Sequence, residues 1–310
     1  SFLSFVSDLC SSGLLSSGGI PGLPSKSADA KSMVKFGSDI VGFNFINYFA
    51  RNLDNILIGR YHGSAELGLY GKAYQLLMMP ITNLRDPMSK VAMPSLSRLQ
   101  HDSEQYRNYY KKFLTILCFV SMPLVVFMFV FAENIIDFFL GSQWIGATEI
   151  FQILAIVAFA QSATSTRGLV LLTTGKSRKY LIIGAASSVI VCISFIVGLP
   201  WGAKGVAVGY ATATYLKFYP FLYFSFKGTP ICFMDFMSAI SKSMISSLIM
   251  GLVCFYFNSA LLGVSDFYIL IICFFIGFTT YLLSYFLLPN GKREIIEIFS
   301  YCRMIFDKMK

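Results

Sequence analysis

Apolar residues in this chain come in long runs. They show neither the alternation of a half-buried strand nor the single stripe of a soluble amphipathic helix. Eight helical runs stand out, at 37–59, 68–96, 113–132, 147–174, 180–199, 205–226, 243–262 and 267–288. Most are near the roughly 20 residues that carry an α-helix across a bilayer. The pattern predicts an all-α, polytopic membrane protein with eight transmembrane helices, because a spanning segment must satisfy its own backbone hydrogen bonds. Three stretches fall outside the runs. Residues 1–16 read as the tail of a preceding helix, so that the chain is expected to be a fragment of a larger unit. Residues 17–36 hold Ser-Gly-Gly, two prolines, Lys26, Lys31 and Lys35, and read as a linker. Residues 291–310 set Ile295, Ile296, Ile298 and Phe299 against Lys292, Arg293, Arg303, Lys308 and Lys310, the pattern of an amphipathic helix on a membrane surface.

The loops between the runs test this division. On one side they carry Lys26, Lys31 and Lys35, then Arg98, Arg107, Lys111 and Lys112, then Lys176, Arg178 and Lys179, then Lys227 and Lys242, and finally the basic tail. On the other side they carry only Arg60 and Lys204. The alternation follows the positive-inside rule and puts the C-terminus in the cytoplasm. Composition agrees. The chain is 55% hydrophobic and 13% charged, against about 25% charged in soluble domains, and its mean hydropathy is +0.65. Its net charge of +9 sits in these short loop clusters. With no DNA- or RNA-binding motif beside it, that charge excludes nucleic acid as a partner.

Motifs for enzymatic chemistry are missing. The seven cysteines, Cys10, Cys118, Cys192, Cys232, Cys254, Cys273 and Cys302, form no CxxC spacing and behave as small hydrophobes. His62 and His101 lie far apart without companion ligands. Gly175-Lys176-Ser177 has the ending of a phosphate-binding loop, but Val170 stands where its first glycine is required. No catalytic residue, metal or cofactor is expected.

What remains is charge inside the runs: Arg51, Lys72, Arg85, Lys90, Arg167 and Lys217. A centred Arg or Lys costs about 2.5–3.5 kcal/mol on insertion scales, so such residues face a cavity or a partner. Lys72, Arg85 and Lys90 are near enough to helix ends to snorkel instead. At 100° per residue, Asn44, Asn47, Tyr48, Arg51, Asp54 and Asn55 share one face of the first helix, opposite Phe45, Phe49, Leu53 and Ile56. That face is either a substrate path or an Arg51–Asp54 pair that neutralises itself. Lys72, Gln75, Thr82, Asn83, Asp86, Ser89 and Lys90 repeat the arrangement on the second helix, whose Pro80 and Pro87 interrupt backbone hydrogen bonding. Gln161, Thr164, Ser165 and Arg167 interrupt the fourth, and Tyr210, Thr214 and Lys217 the sixth. Tyr215, Tyr219 and Tyr223 read as interface aromatics. Four polar stripes can converge on one net-basic cavity suited to an anionic cargo. Arginine matches phosphate oxygens with its fork, and asparagine and tyrosine supply hydrogen bonds to sugars.

These residues also resemble a family. The segments GFNFINYFARNLDNILIGRYHGSAELGLYGKAYQLLMMPI (42–81), VAMPSLSRLQHD (91–102) and GLPWGAKGVAVGYA (198–211) are similar to the polysaccharide-transporter branch of the multidrug/oligosaccharidyl-lipid/polysaccharide flippase superfamily, and in particular to lipopolysaccharide, colanic-acid and teichuronic-acid exporters. The likeness runs from Lys31 to Phe226, and residues 1–16 show none. It implies two lobes rocking about a central cavity in the bacterial cytoplasmic membrane, exporting polyprenyl-pyrophosphate-linked oligosaccharide. The chain would supply the second lobe (37–226), two further helices (227–290) and the basic tail, with 17–36 as interlobe linker. Its partners would be the lipid-linked oligosaccharide, membrane lipids, the missing N-terminal lobe and the polysaccharide polymerase machinery. Arg51 matches by position the cavity arginines that hold pyrophosphate or acidic sugars. Asp54 and Asp86 are the acids available to take up a proton or Na⁺. A drug/cation antiporter of the same superfamily would favour acidic lobes. A membrane glycosyltransferase or O-antigen ligase would need carboxylates at a membrane face or a large outer loop. Glu133, Asp137 and Glu149 are single acids in short loops, with Asp137 leading into an interfacial helix.

Overall fold

A computed structural model of the chain describes residues 30–260, 266–289 and 291–297. The expected helix tail at 1–16, the first part of the linker and residues 298–310 of the tail lie outside the described residues. The chain divides into two units, 1–38 and 39–310, and the second holds the features that follow. Described residues form helices and turns, with no strand among them.

In chain order the elements are α1 (Ala30–Tyr61), α2 (Gly63–Arg98), α3 (Ser103–Val130), α4 (Ala132–Leu140), a 3₁₀ turn (Ser142–Ala147), α5 (Thr148–Thr164), α6 (Arg167–Thr173), α7 (Ser177–Gly198), a second 3₁₀ turn (Leu199–Trp201), α8 (Gly202–Leu216), α9 (Phe218–Phe226), α10 (Phe233–Ala260) and α11 (Asp266–Leu287). Helix α1 starts at Ala30, seven residues before the first apolar run was expected to begin. Residues 291–297 form a further turn of helix. The segment around Asp137, expected to be a helix at the membrane interface, is helical in α4.

Among the described residues, five segments are long and apolar enough to cross a membrane, where eight runs were expected: Ser103–Val130, Ser142–Thr173, Ser177–Leu216, Phe233–Asn258 and Tyr268–Leu287. The polar helices α1 and α2 are not among them. Ser177–Leu216, by contrast, is two helices. The chain turns at Gly202, where φ is +69°, and α8 runs back along α7. Gly198 faces the backbone of Gly205, and Gly209 faces that of Ser194, which fixes an antiparallel register. Only glycine lets the two backbones come this close, the small-residue packing typical of helices in lipid.

Two apolar clusters hold the bundle. One gathers Ile58, Leu77, Phe131, Phe151, Phe195 and Val206 from α1, α2, the α3–α4 junction, α5, α7 and α8. The other gathers Leu96, Tyr106, Leu114, Val170, Leu222 and Phe236 from α2, α3, α6, α9 and α10. Ile182, Val189, Ile193, Val197, Leu252, Phe255 and Phe275 all point outward and exposed. That is the reverse of a soluble surface, and it suits a lipid environment. Buried tyrosine hydroxyls bond across helices: Tyr106 to Thr173 (2.6 Å), Tyr110 to Thr166 (2.8 Å) and Tyr281 to the Phe119 carbonyl (2.9 Å). Such bonds contribute about 0.6 kcal/mol each on average in membrane helices.

The loop ends are fastened by polar groups. Glu66 Oε2 accepts from the Ala203 backbone N–H at 2.7 Å, and His62 Nε2 donates to the Leu199 carbonyl at 2.7 Å, tying the α1–α2 turn to the α7–α8 turn. Asp102 caps α3 by accepting from the N–H groups of Glu104 and Gln105 at 3.1 and 3.0 Å. Removing that cap in Asp102→Ala is expected to cost about 1 kcal/mol. A lower thermal-unfolding midpoint in detergent would register it.

Candidate functional site

Between α1, α2, α5, α6, α7, α8 and the start of α9 lies a polar cavity of about 460 Å³. Two of its cations, Arg167 and Lys217, sit where helices break. Helix α5 ends at Thr164 and α6 begins at Arg167, after a turn at Ser165 and Thr166. Hydroxyls loosen that stretch by bonding back to the helix: Ser162 to Ala158 O, Thr164 to Ala160 O and Thr166 to Ala163 O, at 2.8–3.0 Å. Lys217 is the residue between α8 and α9. Pro220, which lacks an N–H and crowds the carbonyl four residues earlier, prevents a continuous helix there. The sequence therefore places both charges at interrupted helices that line a cavity, where irregular backbone is tolerated at membrane depth.

The electrostatics favour an anion. Lys217 Nζ donates to Ser187 Oγ at 2.9 Å. The Arg167 guanidinium lies 5.8 Å from the centroid of the Phe221 ring. Among the described residues neither is within ion-pair distance of a carboxylate. Arg85, also lining the cavity, is held differently: its Nε and Nη2 donate to Asp86 Oδ1 at 2.9 and 2.8 Å. Asp54 is 6% exposed and accepts from the Tyr70 hydroxyl at 2.9 Å. Two hydroxyls of the lining, Ser165 Oγ and Thr214 Oγ1, are buried without a hydrogen-bond partner among the described residues. An orphaned buried hydroxyl costs about 1–3 kcal/mol, so these two are poised to bond whatever fills the space. Gln161 Nε2 donates to the Tyr210 hydroxyl at 2.5 Å. Gly168 and Gly184 make room for aromatic walls: a Cβ on Gly168 would be 2.9 Å from Tyr180, and one on Gly184 would strike the Phe43 ring.

Of the residues expected from the sequence, Asn47, Asp54, Asp86, Arg167 and Lys217 line this cavity together. The side chain of Arg51 lies outside the described residues, and so does any test of the expected Arg51–Asp54 pair. The other six do not line the cavity. Asn44 and Tyr48 are exposed, with Tyr48 edge-on to Phe49. The Asn55 backbone N–H donates to Asp54 Oδ1. Lys72 is exposed, with Nζ 6.0 Å from the Trp144 ring, and Gln75 and Asn83 are exposed on α2. The physical reason is angular. An arc of about 120° on a helical wheel is wider than the strip one helix presents to a cavity, so a polar face extends past the cavity's edges. Sequence reasoning committed too little to α5–α8. Ser89, Gln161, Thr164, Ser165, Tyr210 and Thr214, which the sequence marks as members of the polar stripes, line the cavity, and so do Tyr74, Tyr180, Ser187 and Ser188, which it does not. The adjacent serines Ser187 and Ser188 inside an apolar run were the available signal.

Similarity to known proteins runs the same way. A family described as "Polysaccharide biosynthesis protein" matches residues 9–149. That match begins ahead of Lys31, inside the stretch that showed no resemblance, and ends before Phe226. The teichuronic acid biosynthesis protein TuaB of Bacillus subtilis is 29% identical over 147 residues, covering 47% of this chain and 30% of TuaB. The lipopolysaccharide biosynthesis protein WzxC of Escherichia coli is 24% identical over 156 residues, covering 50% of this chain and 32% of WzxC. The match thus spans about a third of the length of each relative. In structure, the chain superposes on the lipid II flippase MurJ in an inward closed conformation with a TM-score of 0.66 at 20% identity, over 81% of this chain and 52% of MurJ. The chain is therefore a multi-pass membrane protein whose residues 9–149 match a polysaccharide biosynthesis protein family, and whose fold is like that of the lipid II flippase MurJ and of a MATE-family transporter.

Proposed function

We propose that this chain supplies the cargo-binding lobe of a flippase that moves polyprenyl-pyrophosphate-linked oligosaccharide across the bacterial cytoplasmic membrane for cell-surface polysaccharide synthesis. The observation that carries this reading is the pairing of Arg167 and Lys217, cations without a carboxylate partner among the described residues, with the unpartnered hydroxyls of Ser165 and Thr214. Arginine and lysine answer a pyrophosphate, and hydroxyls with Asn47, Gln161 and Tyr210 answer sugar. The anionic headgroup and sugars enter the cavity while the lipid tail stays in the bilayer. Rocking against a second lobe then exposes the cargo on the far side. The basic loops put the C-terminus in the cytoplasm, where lipid-linked units are made, and a polysaccharide polymerase would take them up afterwards. Asp54 and Asp86 are the acids placed to couple transport to an ion gradient.

The test is leaflet translocation in proteoliposomes with a fluorescent polyprenyl-pyrophosphate oligosaccharide. The full-length protein is expected to move the label and to leave a cationic dye behind. Movement of the dye alone would replace this reading with drug/cation antiport, which the net-basic cavity disfavours. Unchanged gradient dependence in Asp54→Asn/Asp86→Asn would remove both acids from coupling.

A further inference from the structure

A second pocket, of about 920 Å³, shares no residue with the cargo cavity. It lies at the basic end of the bundle, between the first turns of α3 and α10 and the helix at 291–297. Its lining carries Lys111, Lys112, Lys242 and Arg293 with Glu294 and Glu297, and includes apolar Leu99, Ile116 and Ala239. The charges do not balance locally. Asp235 is shared by Arg107 (3.3 Å) and Lys111 (3.8 Å), and Glu297 by Lys112 (3.5 Å) and Arg293 (3.3 Å). Lys242 has a close partner in Glu294 at 2.6 Å, which also accepts from the Tyr285 hydroxyl at 2.8 Å. The lining of the pocket carries four cations, Lys111, Lys112, Lys242 and Arg293, against two carboxylates, Glu294 and Glu297. The shared pairs are long and partly exposed, the weak kind that a better anion displaces.

We infer that this pocket binds the phosphate headgroup of an anionic phospholipid from the leaflet at the basic end of the bundle. Lys111, Lys112 and Arg293 hold the phosphate oxygens, and Gln105, Asn108 and Ser238 meet the polar headgroup. The Lys242–Glu294–Tyr285 chain acts differently: it pins the 291–297 helix in place as one wall. A phosphate offers the lining cations charge-assisted bonds, and basic pockets between membrane helices are suited to such headgroups. The apolar lining residues Leu99, Ile116 and Ala239 favour a lipid over a soluble anion, because they can meet the first methylenes of an acyl chain. The pocket is a binding site separate from cargo recognition, and it stands whether or not the transport reading does.

The test uses the full-length protein in nanodiscs of neutral phosphatidylcholine doped with labelled phosphatidylglycerol. Wild type is expected to enrich the anionic lipid, in a salt-sensitive way. Lys111→Gln/Lys112→Gln/Arg293→Gln should lower that preference at least about tenfold, since each basic group near the surface contributes appreciably. Ser238→Trp, which fills the pocket without changing charge, should lower it as well and keeps the test valid if the triple variant misfolds. Preference retained in either folded variant would overturn the inference. Displacement of the lipid by millimolar glycerol phosphate in solution would also overturn it, by showing that the pocket takes a soluble phosphate.

Discussion

Arg167→Met/Lys217→Met is expected to abolish translocation of a pyrophosphate-linked oligosaccharide while leaving the protein at least as stable as wild type. The two halves of this result must appear together. A hydrogen bond to a charged group contributes about 1.5–3 kcal/mol. Losing two should cut transport by roughly a hundredfold or more, each 1.4 kcal/mol being about a factor of ten. If the two cations served the fold instead, their removal would destabilise it. With no carboxylate partner among the described residues, they are instead an electrostatic burden on the empty protein, and replacing a cation at membrane depth with Met should relieve about 2.5–3.5 kcal/mol of insertion cost. The unfolding midpoint should therefore hold or rise as transport falls. Lys217→Arg keeps the charge and should retain most of the activity. Arg167→Lys should retain less, because it exchanges a planar fork for a point charge. Parallel loss of stability and transport in the double variant would mark the two cations as structural.

Gly205→Val is expected to disrupt the fold itself. A Cβ at that position would land on the Gly198 carbonyl oxygen and lie 2.5 Å from Trp201 Cβ. Overpacking in a core usually costs about 1–3 kcal/mol because side chains can move aside. Here the obstacle is the backbone of the antiparallel partner, so the cost should sit at or above that range, with α7 and α8 forced apart. Both helices wall the cavity, through Ser187, Val191, Tyr210 and Thr214, so the variant should lose folded yield and cargo binding together. Gly71→Ala is the contrast. Its Cβ would meet nothing within 4 Å, and exchanging a helical glycine for alanine should stabilise by about 0.5–1 kcal/mol. Size-exclusion profiles and unfolding midpoints for the two variants separate these outcomes. Equal behaviour would show that the α7–α8 approach is not tight.

Much of this was legible in the sequence because membrane-spanning segments obey one dominant rule. Backbone polar groups must be satisfied within the segment, so apolar runs near bilayer length become helices whatever surrounds them. Most of each of the runs 113–132, 180–199 and 243–262 reappears in α3, α7 and α10 for that reason. Arg167 and Lys217 were found because a charge inside an apolar run is costly wherever it points. The α7–α8 turn was also foreshadowed by GLPWGAKG, whose glycines serve positive φ and close packing.

Other features depended on contacts between distant residues. One-dimensional spacing makes Asn44, Asn47, Tyr48, Asp54 and Asn55 equivalent members of one face. The tertiary structure brings Asn47 and Asp54 to the cavity and leaves Tyr48 exposed outside it. Asp54 bonds Tyr70, and Lys217 bonds Ser187 thirty residues away, and no local pattern encodes either meeting. The breaks at Ser165–Thr166 and at Lys217 turned two apparent continuous spans into interrupted ones. The sequence by itself determined helices, their approximate limits and the charges they must accommodate, because those follow from the cost of exposing polar groups to lipid. Which charges share a cavity was decided by tertiary structure alone, because it depends on how helices rotate and approach, and that is set by side-chain volumes across the interface.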